Sequence, residues 1–264
     1  MQKPAMQNRF TALLAAAPLL LLAACAGGPS EEKKTAEAPP TAAPAAAPSA
    51  PAGSGSVTGR ILFAGAKPSP KFLTGMDANP QCLKQHGGKS PAAEDVVVND
   101  DGTLANVFVW VKSGPVPASP VPATRVKLDQ VKCVYVPHVT AVMVGQELEI
   151  HNSDPVNHNI HPLPMENREW NESQPPQGEP KIKTFAKAEQ MIPFKCNVHP
   201  WMRAYVNVVP HAFFAVTGAD GKFELKGLPP GDYVIEAVHE KFGPQELKVT
   251  VGTDAKTADF TFKG

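Results

Sequence analysis

The stretch FKCNVHPWMRAYVNVV, residues 194–209, places Cys196, His199 and Met202 three residues apart. QMIPFKC leads into this loop and RAYVNVV leads out, and both read as strands. A thiolate is a soft donor, an imidazole a borderline one, and a thioether a weak donor that prefers soft ions. A loop this short between two strands can aim all three at one ion. The plain alternative is a small buried cysteine with polar neighbours.

A fourth donor is available upstream. In QELEIHNSDPVNHNIHPLP, residues 146–164, a strand and a turn precede His158. His161 lies three residues further on and could take its place. Two imidazoles, one thiolate and a long axial thioether form the donor set of a blue-copper site. Zinc is disfavoured, because the chain has no C-x-x-C pair and structural zinc rarely uses methionine.

The N-x-D…H-N-I segment followed by C-x-x-H-P-x-M-R resembles cupredoxins, most closely the amicyanin-like and plastocyanin-like ones, over residues 114–209. That resemblance implies a Greek-key β-sandwich with one type 1 copper bound by His158, Cys196, His199 and Met202. It implies that Asn159 ties the two ligand loops together by hydrogen bonding. It also implies that Pro200 and Trp201 form part of an apolar rim around a partly exposed histidine, the exit for an electron. His161 is then a surface or supporting residue, or the alternative ligand. His86, His138, His211 and His239 have no place in the pattern.

The rest of the chain from Val57 is all-β in pattern. SVTGRILF, NVFVWVK, KFELKGL, YVIEAV, QELKVTV and ADFTF are short runs rich in β-branched and aromatic residues, separated by NDDG, GADG, LPPGD and VGTD turns. No helical period stands out beyond the first residues. The arrangement T-x-x-D-G-x-F…L-P-P-G-x-Y resembles the carboxypeptidase regulatory-like, prealbumin-type β-sandwich, a second and smaller one. Such modules occur in many exported proteins and indicate fold rather than function. Residues 211–264 offer few strands for a closed sandwich. The expectation is therefore that 57–113 supplies its first strands and that the copper domain, 114–210, is inserted between. Two or three domains in series is the alternative.

At the N-terminus, Lys3 and Arg9 precede the apolar TALLAAAPLLLLAAC. This reads as an export signal over 1–24, too short for a good membrane span. LAAC resembles the lipobox of bacterial lipoproteins, which implies a lipid on Cys25 and, weakly, the outer membrane of a Gram-negative cell envelope. A plain signal peptide cleaved near Ala24 is the alternative. Residues 25–56 are rich in Ala, Pro, Gly and Ser and read as a disordered tether.

Without Lys3 and Arg9 the chain carries 23 basic residues against 25 acidic ones, so nothing in its charge calls for nucleic acid. Of the four cysteines, Cys25 is assigned to lipid and Cys196 to metal. Cys82 and Cys133 remain for a disulfide, with two buried thiols or a second metal site as alternatives. No H-x-H pairs, H-E-x-x-H, G-x-S-x-G or P-loop pattern occurs, and no enzyme is expected. The expected function is a membrane-tethered one-electron carrier serving a redox partner protein. A cell-surface module that contacts glycan or protein around a structural copper is one alternative, and copper storage or delivery another.

Overall fold

The computed structural model describes residues 55–264. The signal segment, Cys25 and nearly all of the tether lie outside the described residues. Gly55 and Ser56, assigned to the tether by composition, are already strand.

In chain order, β1 (Gly55–Ala64) is followed by a 3-10 turn (Met76–Ala78), the short helix α1 (Pro80–Gln85) and β2 (Phe108–Ser113). Then come β3 (Val126–Val131), β4 (Val134–Val136), β5 (Val139–Met143), β6 (Leu148–Asn152), β7 (His158–Pro162), β8 (Glu172–Gln174), β9 (Lys181–Lys183), β10 (Glu189–Lys195) and β11 (Arg203–Val209). The last group is β12 (Phe214–Val216), β13 (Lys222–Leu228), β14 (Gly231–His239), β15 (Gly243–Val251), β16 (Ala255–Thr257) and β17 (Phe260–Lys263).

The middle group builds two facing sheets, ordered β5-β11-β10-β7-β8 and β4-β3-β6-β9. Their inner faces enclose a core of Leu128, Tyr135, Val142, Ile150, Ile160, Phe194 and Val206, among others. The outer groups build a second pair of sheets. One is ordered β12-β2-β14-β15 and the other β13-β1-β16, with β17 also on β1. β1 thus pairs antiparallel with β13 on one side and parallel with β16 and β17 on the other. β2 lies between β12 and β14. Strands from both ends of the chain therefore share one sandwich, around Val57, Val109, Phe223, Ile235 and Phe260.

β5 explains how the two sandwiches meet. It reads VTAVM with no polar alternation, and all five residues are buried. Val142 faces the inner core, while Val139, Ala141 and Met143 pack against Phe108, Trp110 and Phe214 of the second sandwich. A strand covered on both faces loses the period-2 signature. The seam also holds a polar link, His138 to Glu240 at 2.7 Å, with both side chains buried.

The stretch between β1 and β2 does not stay with the second sandwich. Met76 and Cys82 are fully buried in the core of the first. α1 itself was not anticipated. Its start is legible in hindsight: Asn79 caps it by accepting the Cys82 N–H, and Pro80 holds the first helical position. Six residues are too few to show a helical period.

Candidate metal centre

The donors come from two adjacent antiparallel strands and the loop that follows. β7 and β10 pair with Lys195 opposite His161, so Cys196 leaves β10 beside the length of β7. The loop closes on itself: Met202 N–H donates to His199 O at 2.9 Å, and Cys196 N–H to Met202 O at 3.4 Å. These bonds bend residues 196–202 back over the core, which buries Cys196, His199 and Met202 together.

His158 opens β7 and turns inward. Its Nδ1 lies 2.9 Å from His199 Nδ1, and Cys196 Sγ lies 3.8 Å from that same nitrogen. The three ligand atoms lie within 4.8 Å of one another. Cys133, Asp154 and His158 form a second such group, but Cys133 is consumed in a disulfide with Cys82.

The outer side of His158 is fixed by Asp154. His158 Nε2–H donates to Asp154 Oδ2 at 2.8 Å. The same carboxylate accepts the backbone N–H groups of Lys132 at 2.5 Å and Cys133 at 2.7 Å. Both residues sit at positive φ in the tight β3–β4 turn, which aims their N–H groups at Asp154. A carboxylate behind a histidine sets the tautomer and raises its basicity as a ligand. Burial pushes His158 down, but the bond to Asp154 and the nearby Cys196 sulfur outweigh it and hold the imidazole above its ordinary pKa.

Cys196 is poised as a thiolate. Burial pushes its pKa up, yet the neighbouring His158 and His199 rings and the Asn159 N–H bring it from 9.0 to about 6. The Asn159 N–H donates to the sulfur at 3.3 Å. Asn159 Oδ1 also accepts the Asn197 N–H at 3.1 Å, so one residue clips the two ligand segments together. Behind it, Tyr135 Oη donates to the carbonyls of Asn159 and Lys195.

His161 stands apart from this cluster. Side chains alternate along a strand, so residues three apart face opposite ways. His161 Nδ1 meets Asn197 Oδ1 at 3.1 Å and its Nε2–H donates to Glu169 at 2.6 Å. Among the other histidines, His86 bonds Lys132 O and His211 bonds Val111 O, each a local structural contact.

One expectation is corrected. His199 is only 2% exposed, so no rim surrounds a solvent-facing histidine edge. The segment from Met76 through α1 covers it. Asn79 Nδ2 lies 2.9 Å and Cys82 Sγ 3.7 Å from His199 Nε2. Trp201 leans on the ring at a centroid distance of 5.0 Å and donates its Nε1–H to Cys133 O. Pro200 is exposed and Trp201 only partly so. The cover comes from residues more than a hundred positions upstream, brought in by the disulfide. Asp154 stood in the sequence only as the acidic position of N-x-D, with no role assigned, and Asn79 was not singled out. The carboxylate four residues before His158 was the available signal for the first.

The donor chemistry fits copper: a sulfur inclined to ionise, two imidazole Nδ1 atoms turned toward one another, and a buried methionine on the same loop. A family model described as carboxypeptidase regulatory-like domain matches residues 199–263, which includes β12–β17 but neither β1 nor β2. No curated protein matches the chain. Among solved structures, amicyanin from Paracoccus versutus is 26% identical over 38% of this chain and 96% of its own, with a TM-score of 0.29. A purple cupredoxin from Nitrosopumilus maritimus is 20% identical over 31% of this chain and 97% of its own, with a TM-score of 0.27. A copper-containing nitrite reductase from Thermus scotoductus SA-01 is 22% identical over 38% of this chain, with a TM-score of 0.30, and the chain spans only 25% of its length. The chain combines an inserted β-sandwich similar to cupredoxins with a second sandwich whose C-terminal strands match the carboxypeptidase regulatory-like domain.

Proposed function

We propose that this protein is an exported electron carrier with one type 1 copper, held to the membrane by a lipid on Cys25. The observation that carries the reading is the convergence of His158 Nδ1, His199 Nδ1 and Cys196 Sγ on one buried point, with Met202 on the same closed loop. Copper bound there would supply one-electron transfer. The chain's own part is to hold the donors still. Asp154 orients His158, the Asn159 N–H stabilises the thiolate charge, and burial of the loop excludes water. Fixed donors keep the rearrangement between oxidation states small.

With the His199 edge covered, Trp201 is the aromatic side chain that touches that ring and also reaches solvent. A redox partner would meet the protein there, beside exposed Val198 and Pro200.

The test is the optical and electron paramagnetic resonance spectrum of the copper-loaded chain. An intense thiolate-to-copper band that bleaches reversibly on reduction is expected. His158→Ala and Cys196→Ser abolish it, whereas His161→Ala leaves it in place. A colourless protein that binds copper(I) and hands it to an acceptor would instead establish the delivery reading.

A further inference from the structure

Asn79 lies outside the ligand loops and touches His199 from behind. As the N-cap of α1, its Oδ1 accepts the Cys82 N–H at 3.2 Å. A backbone N–H can only donate, so the amide oxygen is the atom that faces it. The other end of the amide is then fixed. Nδ2, which can only donate, faces His199 Nε2 at 2.9 Å. His199 Nε2 is therefore the acceptor nitrogen, and the neutral ring carries its proton on Nδ1.

The next contact agrees. His158 gives its Nε2–H to Asp154, so its Nδ1 is an acceptor. It receives the His199 Nδ1–H at 2.9 Å. The relay runs from Asn79 through His199 and His158 to Asp154 with every donor facing an acceptor. It also places a proton on the His199 nitrogen that faces His158 and Cys196. A metal ion held by both Nδ1 atoms needs both lone pairs. The neutral His199 ring must then carry its proton on Nε2, opposite the Asn79 donor.

We infer that Asn79 is the positioning residue of His199 and sets the helix cap in competition with metal binding. With the cap made, Asn79 holds the Nδ1–H tautomer. On loading, its amide turns over, and Oδ1 exchanges the Cys82 N–H for the His199 Nε2–H. The Cys82–Cys133 disulfide keeps α1 in place through the exchange. This rests on the metal reading above.

Two measurements on the full chain test it. Nitrogen-15 correlation spectra of the metal-free protein read the His199 tautomer without any metal, so they remain informative if copper does not bind. Copper(I) affinity is then measured by competition with a chromophoric chelator. Asn79→Asp keeps the cap and offers a carboxylate oxygen to His199 Nε2–H. Asn79→Ser keeps a cap, removes the opposing amide and adds no charge. The expected results are the Nδ1–H tautomer in the parent chain, Nε2–H in Asn79→Asp, and copper affinity raised about tenfold in both variants, on the scale of changes behind a metal-bound histidine. Loading should also speed hydrogen exchange at the Cys82 amide in the parent chain and not in Asn79→Asp. An Nε2–H tautomer in the parent chain, or unchanged or weaker affinity in both variants, overturns the inference.

Discussion

At the scale of single residues, the centre is held from outside as much as from within. Asp154 joins three donors at once: His158 Nε2 and the N–H groups of Lys132 and Cys133. Asp154→Asn keeps one acceptor oxygen and loses the charge that favours the Nε2–H form of His158. Copper affinity should fall about 10- to 100-fold, the usual cost of removing such a partner, as read by chelator competition. The candidate donors on the loop were legible because C-x-x-H-x-x-M leaves few other readings. The choice between His158 and His161 was not legible, because both lie within one short NHNIH segment. Strand pleating turns His161 away from Cys196 and His199, toward Asn197 and Glu169.

At the scale of elements, α1 and the β3–β4 turn act as a clasp around the two imidazoles, joined by the Cys82–Cys133 disulfide. Both sulfurs are fully buried. The bond closes a sequence separation of 51 residues. Its removal in a Cys82→Ala/Cys133→Ala chain should lower unfolding stability by about 2–4 kcal/mol, seen as a lower urea midpoint. Strand positions such as KFELKGL and QELKVTV were legible because one face stays polar: both alternate buried or half-buried residues with exposed ones. β5 and β7 were not singled out, since every residue in them is buried and no alternation survives.

At the scale of the whole molecule, the second sandwich depends on strands from both ends of the described chain. β1 has partners on either side in one sheet, and β2 lies between β12 and β14 in the other. A fragment of residues 211–264 lacks both and should show no cooperative unfolding by circular dichroism. Acid stability is a property of the same region. His239 is buried against Phe242, with ring centroids 4.6 Å apart. Burial, opposed only in part by nearby Glu240, pushes its pKa from 6.5 down to about 4. The unfolded chain therefore takes up this proton near 6.5 and the folded chain only near 4. Stability from this group is complete above 6.5 and is lost as pH falls to 4, a change on the order of 3 kcal/mol. Urea midpoints measured across that window should decline, and less steeply in His239→Phe.

What the sequence determined by itself was local. Donor types at fixed spacing on one loop and turn residues between alternating runs are set by near neighbours, whereas the Cys82–Cys133 bond, one of several readings in the sequence, was decided by the structure. What only the tertiary structure decided was which distant groups meet. The cover over His199 comes from Asn79 and Cys82, and the seam through β5 comes from β2, β12 and β14 of the second sandwich. Such contacts depend on how whole sheets pack and on one covalent crosslink, and a linear pattern holds no record of either.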